Sequence, residues 1–597
     1  MKKIKLSDYL ANYLLAKKLN IIYSVTGAGS MHFNDSIGNK KGLRVIYTHH
    51  EQACSMAAEG SARITGKPAV VNVSTGPGGT NALTGVAGAY VDSIPMLIIS
   101  GQIMRKDRGH KHGLRQMGVQ EINTISVVKP ITKYAVTIED PAMIKYHLDK
   151  ALYLSTSGKP GPVWIELPLD VQSSFVNPDK LTSYIQPDIK LKKTTISLFK
   201  KSINLINKAK KPLIISGYGV RSSNSVGDLL KFVKKTKIPL SPSWNTIDII
   251  ESKSDLVVGR AGLFGDRASN YAVQKSDLLI ILGSRLSTAQ IGYMSDMYAP
   301  QAKKIYVEID KKELTKPTVK ADIKINCSVK EYLIFLNKNK NLRIKKTLVH
   351  TWRKKLLILK KKYPVSKEHV NKFKNYVNSF TFISKLSTHL KNNDMVVTDM
   401  GTSFTCTMQS FQAKKNQRLF TSSGLASMGY GLPASIGASI GKGVNKRVIC
   451  ITGDGGMLFN LQELQTVQHY KIPAKIFLID NDGYLTQKQM MIKNFKRYAG
   501  AHPPSGISCP DFIKVAKSFG FATDTITADK NLDSKLKTIL SNNKAHFCVI
   551  KIHPMQALTP RVLMKMAPDG TFARTGIESI SPFLPEEEHR DNLNFLT

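Results

Sequence analysis

A carboxylate and an amide 27 residues apart, each set among glycines, are the most informative pair in the chain. Gly453-Asp454-Gly455-Gly456 follows the β-branched run Arg447–Thr452, and Asp480-Asn481-Asp482-Gly483-Tyr484 follows Ile476–Ile479. Leu458–Tyr470, between them, has the pattern of a crossover helix, so the two runs are expected to be neighbouring parallel strands. Asp454 and Asn481 would then stand side by side at the carboxyl edge of the sheet, where open α/β sheets bind ligands. One carboxylate, one amide oxygen and the carbonyl of Gly483 form an incomplete set of hard oxygen donors. Mg²⁺ suits such a set, because phosphate oxygens and water complete its octahedron. The glycines allow close backbone approach to that ligand. The alternative is a surface turn rich in Gly and Asp, of the kind any α/β protein carries.

A second group lies near the N-terminus. His50-Glu51-Gln52 follows a strand, Arg44–Tyr47, and opens a helix over Gln52–Thr65. By itself a Glu at a helix start only complements the helix dipole. The sequel makes it more informative: Ser74-Thr75-Gly76-Pro77-Gly78-Gly79-Thr80-Asn81 is a glycine-rich turn after the next strand, and Val91-Asp92-Ser93-Ile94-Pro95 precedes another. Farther on, Gln120-Glu121 precedes Ile131-Thr132-Lys133. The basic loop Arg105–Arg115 carries His110 and His112, which either supply an acid/base group or belong to a solvated loop.

Short β-branched runs that alternate with helical patterns must position these residues, which argues for three stacked α/β domains with mainly parallel sheets. The expected divisions are 1–180, 190–340 and 365–555, with a tail over 556–597. Strands are expected at Ile21–Val25, Ala69–Ser74, Met96–Ser100 and Val163–Leu167. Further strands fall at Pro212–Ser216, Leu278–Leu282, Lys304–Ile309, Met395–Thr398, Lys475–Ile479 and His546–Ile552.

In 597 residues, 42% are hydrophobic and 22% charged, which excludes a disordered chain. Apolar runs such as Leu278–Leu282 are far below the roughly 20 residues of a membrane span. Ser7, Asp8 and Asn12 interrupt the N-terminal stretch, so it reads as an amphipathic helix rather than a signal peptide. Six scattered cysteines without a CxxC point to reduced thiols and a cytoplasmic setting. The net charge of +43 comes from 86 basic and 43 acidic residues. The basic residues are spread along the chain with no zinc-finger or aromatic-interleaved pattern, so a solvated lysine-rich surface is expected rather than a nucleic-acid partner. The stretch Lys338–Lys362 has no acid, and Trp352, Leu356, Leu357 and Leu359 give it one apolar helical face.

Taken together the motifs resemble the thiamine-diphosphate (ThDP) enzymes, whose signature is GDG followed by an Asn-Asn pair. Here Asp480 replaces the first Asn and Asn481 keeps the place of the metal ligand. Gly424-Leu425-Ala426-Ser427-Met428-Gly429-Tyr430-Gly431-Leu432-Pro433 matches the segment whose methionine wedges beneath the cofactor. On composition alone Met428 would be a core residue. Gly401-Thr402-Ser403 matches the loop near the diphosphate. The run from His50 to Pro95 resembles the pyrimidine-binding domain of acetohydroxyacid (acetolactate) synthases.

The resemblance implies ThDP and Mg²⁺ as cofactors, with Asp454, Asn481 and Gly483 on the metal. Glu51 and Gln120 are the implied catalytic residues. The implied cofactor contacts are Glu51, Gly76, Asn81, Gly401, Thr402, Ser403, Met428, Gly453, Gly455, Gly456, Asn481 and Tyr484. Glu51 would bond the aminopyrimidine and favour its imino tautomer, whose exocyclic nitrogen takes the C2 proton of the thiazolium. The implied substrates are a 2-oxo acid, most simply pyruvate, and a carbonyl acceptor. The implied assembly is a homodimer or homotetramer, and FAD stays open as a group of the central domain.

The sequence departs from the synthases in several places. A Phe before the matched glutamine is Val119, and the lysine of a Pro-Lys-Asp segment is Leu169. The motif RFDDRVTG becomes Arg285-Leu286-Ser287-Thr288-Ala289-Gln290-Ile291-Gly292, so the arginine that holds the acceptor's carboxylate is Ala289. A tryptophan that favours 2-oxobutyrate aligns with Met490. Pro560-Arg561, Asp569-Gly570 and Glu578–Leu584 in the tail, with Gly27–His32, look like a branch that adds two-carbon units to nucleotide-linked keto-sugars. An ordinary acetolactate synthase and a simple 2-oxo acid decarboxylase are the alternatives.

Overall fold

The computed structural model describes residues 3–188, 191–368, 373–443, 446–564 and 574–597; Asp569-Gly570 of the tail motif lies outside them. Strand β1 (Ile4–Lys5) pairs antiparallel with β8 (Phe175–Val176) and ties the N-terminus to the end of the first unit. That unit is a parallel sheet of β2 (Ile21–Ser24), β3 (Arg44–Tyr47), β4 (Ala69–Val73), β5 (Met96–Gln102), β6 (Tyr134–Thr137) and β7 (Pro162–Pro168). Its order is β3-β2-β4-β5-β7-β6. The central sheet holds β9 (Pro212–Ser216), β10 (Leu240–Pro242), β11 (Leu278–Leu282), β12 (Lys303–Glu308) and β13 (Ile323–Asn326), in the order β10-β9-β11-β12-β13. The third holds β14 (Met395–Thr398), β15 (Arg418–Phe420), β16 (Val448–Gly453), β17 (Ala474–Asp480), β18 (Ala522–Ile526) and β19 (His546–Lys551). Its order is β15-β14-β16-β17-β19-β18.

All three sheets are parallel, as the β-branched runs imply. Helices cover both faces, and strands such as β4, β9 and β11 are buried at every residue. The first and third sheets have the same strand order, a duplication with no counterpart in the sequence pattern. The helices that follow their equivalent edge strands, Glu51–Thr65 and Gly431–Lys442, pack on each other. The contact is reciprocal. A Cβ on Gly60 would lie 2.2 Å from the Ala434 carbonyl oxygen, and one on Gly437 would lie 1.7 Å from that of Ala57. Only glycine lets the two backbones meet, and one hydrophobic core runs through both sheets.

Buried charges lock this seam. Arg63 donates to Glu59 Oε1 and to Asp92 Oδ2, both at 2.6 Å, and Asp92 also accepts from the Ser423 amide at 2.9 Å. The basic helix, Lys346–Lys362, packs on the central sheet: Trp352, Leu356 and Leu359 are buried, and the Trp352 indole donates to the Pro212 carbonyl at 3.1 Å. The tail returns to the same unit. There β20 (Arg561–Val562) pairs with β21 (Ile580–Ser581), and Asn270 donates to the Ile577 carbonyl at 2.6 Å.

Candidate active site

β16 and β17 are neighbours, with Gly453 opposite Ile479. Asp454 opens the turn after β16 and Asn481 follows β17, as the spacing implies. The intervening helix is shorter than expected, Glu463–His469, because Leu458–Gln462 forms turns. Asp454 is 2% exposed, and backbone N–H groups fix its carboxylate. Oδ1 accepts from Gly455 at 2.8 Å; Oδ2 accepts from Asn481 at 3.0 Å and Gly483 at 2.9 Å. Burial pushes its carboxyl up to about 6 against the pull of those donors. Gly483 has φ +105°, and a Cβ there would lie 2.4 Å from the Ala501 carbonyl oxygen.

Asn481 carries the strongest sign of a missing ligand. Its Nδ2 donates to Thr402 Oγ1 at 3.2 Å, which leaves Oδ1 buried with no hydrogen-bond partner. A buried acceptor without a donor is costly, and a cation beside Asp454 would satisfy it. The donor set therefore fits Mg²⁺: Asp454, the Asn481 amide oxygen and the Gly483 carbonyl. No group of three His, Cys, Asp or Glu side chains among the described residues makes a competing metal site.

The other predicted residues of this domain surround the pair. Gly401, at φ +79°, caps the helix Thr402–Ser410, whose first residue takes the Asn481 bond. Ser403 is buried and its hydroxyl bonds the Met400 carbonyl at 2.8 Å. Gly453 has open space where a Cβ would stand. Tyr484 packs its ring against Gly455, where a Cβ would lie 2.1 Å from Cε1. Gly456 abuts Asp399, and half-buried Met428 precedes Gly429, whose carbonyl accepts from Asn460 at 2.8 Å.

Two residues here escaped the sequence reading. Asp399, 1% exposed, accepts from Thr452 Oγ1 at 3.0 Å. Lys488, 2% exposed, donates to the carbonyls of Asn481 at 2.9 Å and Asp482 at 3.1 Å, bracing the loop. Asp399 directly follows β14, whereas Lys488 lies in the helix Leu485–Phe495 beyond β17, and neither carries a motif.

In the first domain Glu51 is the first residue of its helix, capped by His50. Asn81 Nδ2 donates to Glu51 Oε2 at 3.0 Å, so the glycine-rich turn and the helix meet as a unit. That turn is strained at Gly76, φ +58°, where a Cβ would lie 2.2 Å from the Gln120 carbonyl oxygen. Gln120 is itself at φ +66° and its side chain is exposed. Next to it Glu121 is buried, accepting from the amides of Gly109 and Met117, both at 2.9 Å, and from His110 Nδ1 at 2.9 Å. Burial alone would raise its carboxyl; these donors outweigh that and hold it at about 2.

Two equivalent sheets thus each present a ligand-ready carboxyl edge. Three family models match the chain in order. They are the N-terminal TPP binding domain of thiamine pyrophosphate enzymes over residues 4–126, the central domain over 199–336 and the C-terminal TPP binding domain over 399–552. The chain belongs to the thiamine pyrophosphate enzyme family. It is 33% identical to the probable acetolactate synthase large subunit of Methanocaldococcus jannaschii, over 93% of each chain. It is 32% identical to the acetolactate synthase large subunit of Lactococcus lactis, over 90% of this chain and 92% of the relative. The Buchnera aphidicola (Acyrthosiphon pisum) protein of that name is 31% identical, with the same coverage.

This thiamine pyrophosphate enzyme has a further cleft at the carboxyl edge of its central sheet. Gly217 and Gly219 follow β9, Arg285 follows β11 and Glu308 ends β12. A glycine turn after one strand and a carboxylate at another's end fit the diphosphate and ribose of a dinucleotide. Arg285 turns toward the first domain, donating to the Val91 carbonyl at 2.8 Å and lying 3.6 Å from Asp92.

Proposed function

We propose that this enzyme decarboxylates a 2-oxo acid, pyruvate by preference, and transfers the two-carbon unit to a carbonyl acceptor, using ThDP and Mg²⁺. The orphaned Asn481 Oδ1 beside Asp454 is the observation that carries the cofactor assignment. When bound, the cofactor supplies the carbon that adds to the 2-oxo carbonyl and holds the electron pair left by carbon dioxide. Asp454, Asn481 and the Gly483 carbonyl would hold the metal, and the turns at Gly401 and Gly453 would receive the phosphates. Glu51, oriented by Asn81, keeps a proton on the pyrimidine ring. Met428 would pack against the cofactor's rings, and Gln120 would offer an amide beside them.

The acceptor side differs from a synthase. Ala289 has no charge to offer, and Arg285, the arginine of the same segment, is committed to Val91 and Asp92. A carboxylate acceptor would lose a charge-assisted contact worth about 1.5–3 kcal/mol. This favours an uncharged carbonyl, such as that of a nucleotide-linked keto-sugar. An acetolactate synthase is the second reading, supported by the names of the relatives.

Apolar side chains stand exposed around both half-sites: Leu114, Met117 and Val119 in the first domain, and Leu425, Phe459 and Phe495 in the third. Their exposure supports burial against a second copy of the chain, in a homodimer or homotetramer. FAD in the central cleft belongs to the same proposal, and flavin absorbance of the purified protein tests it. The six cysteines are all unpaired, in keeping with a cytoplasmic setting. No described helix is long and apolar enough to cross a membrane.

Carbon-13 NMR of the protein with labelled pyruvate, ThDP and Mg²⁺ tests the acceptor. Slow turnover that accelerates on adding a nucleotide-linked keto-sugar supports the main reading. Rapid acetolactate formation without any other acceptor assigns the chain to the second.

A further inference from the structure

The loop that follows β5 holds a histidine–carboxylate pair with no part in activating the cofactor. Its outer side is pinned. Arg105 donates through its amide and Nε to Asp170 at 3.1 and 2.7 Å, and Arg108 donates to Glu139 at 2.5 and 2.6 Å. Its interior is organised by Glu121, whose side chain is fully buried and accepts from four groups within 3.2 Å. One of these is His110 Nδ1. The His110 side chain stays 25% exposed, so the bond to Glu121 fixes its tautomer and orients the ring with Nε2 available for a ligand.

The pair is not remote from the half-site. Gln120, next to Glu121, rests its carbonyl on Gly76, in the turn whose Asn81 holds Glu51. By topology this loop is also the counterpart of the Asn481 loop: each follows the fourth strand of its sheet, beside the strand that bears the glycine turn. We infer that His110, oriented by Glu121, is a further catalytic residue that moves protons at the acceptor. The inference rests on the carboligase reading above.

The proton balance closes on His110 alone. As the new carbon–carbon bond forms, the electron pair of the acceptor's C=O shifts to oxygen, which takes the Nε2 proton of His110 in its imidazolium form and leaves a neutral ring still bonded to Glu121 through Nδ1–H. As product leaves, the donor-derived hydroxyl becomes a ketone and returns a proton to the same nitrogen. Glu121 stays ionised throughout and positions the imidazole. Release of carbon dioxide needs neither step.

The test separates the two halves of the reaction. Ferricyanide accepts electrons from the two-carbon unit one at a time, so pyruvate oxidation coupled to it needs no acceptor. Acetoin formation from pyruvate and acetaldehyde does. In His110→Gln, acetoin formation should fall about 100-fold, the size of a general-acid contribution. Ferricyanide-coupled oxidation should stay within a factor of about two. Glu121→Gln should show the same split more weakly, and His112→Gln, on the same exposed turn, should leave both rates unchanged. Equal loss of both activities in His110→Gln would assign the histidine to loop structure, and unchanged acetoin formation would remove it from catalysis; either overturns the inference. Wild-type protein unable to oxidise pyruvate with ferricyanide would overturn the carboligase reading itself.

Discussion

The amide of Asn481 donates to Asp454 Oδ2 at 3.0 Å across two adjacent parallel strands. This bond joins the ends of β16 and β17, and the Gly483 amide adds a second to the same oxygen. The Asp454 carboxylate is thus oriented before any cation arrives, and the Asn481 side-chain oxygen waits beside it without a donor.

Asn481→Leu should sharply weaken cofactor binding while leaving the fold intact, because the lost oxygen has no partner in the protein and only the 3.2 Å bond from Nδ2 to Thr402 goes with it. Titration calorimetry with ThDP and Mg²⁺ should show affinity reduced by more than about 100-fold. Thermal unfolding without cofactor should be little changed.

The reciprocal glycine contact makes a second prediction. In Gly437→Val the side chain would start 1.7 Å from the Ala57 carbonyl, so the helices must part. Overpacking of this kind costs about 1–3 kcal/mol. Denaturant unfolding should report the loss, and Gly60→Ala should do the same from the other side of the contact.

The buried Arg63 balances Glu59 and Asp92 with essentially no help from solvent. Arg63→Met leaves Glu59 buried without a cation and Asp92 with only the more distant Arg285, 3.6 Å away, a defect worth about 3–5 kcal/mol. The seam should therefore loosen, with hydrogen exchange rising in the helices Glu51–Thr65 and Gly431–Lys442.

Acid should release the His110 loop. Glu121 has its carboxyl lowered from 4.5 to about 2 by backbone donors, so its stabilisation is complete above about 4.5 and is lost as the pH falls toward about 2. In Glu121→Gln that acid-dependent component disappears, because the amide does not titrate in this range. Hydrogen exchange at Gly109 and Met117 across the window from pH 5 to about 2 checks this sign.

The interior strands were legible because a parallel sheet buries both faces and leaves uninterrupted apolar runs. The edges were not. β6, β10, β13, β15 and β18 all lie at sheet edges and all escaped the sequence pattern. β18 exposes Ala522 and Thr525, and β10 and β15 are only three residues long. The Asp454–Asn481 pair followed from strand-end spacing, whereas Glu51 and Asn81 were named by the resemblance and their hydrogen bond was not anticipated. The duplication of the first sheet in the third did not follow from spacing, because equivalent loops carry different chemistry: a glycine turn bearing Asn81 in one, and Gly453-Asp454-Gly455 in the other. Lys488 was invisible for another reason: a lysine buried against two carbonyls looks, in sequence, like any surface lysine.

The proposed chemistry depends most on Glu51 activating the cofactor that Asp454 and Asn481 would hold. Exchange of the ThDP C2 proton with deuterium, followed by NMR on the protein with Mg²⁺, measures that step without any substrate. Exchange much faster than in free ThDP is expected for the wild type, falling back to the free rate in Glu51→Gln although the cofactor still binds. Equally fast exchange in Glu51→Gln would contradict the account.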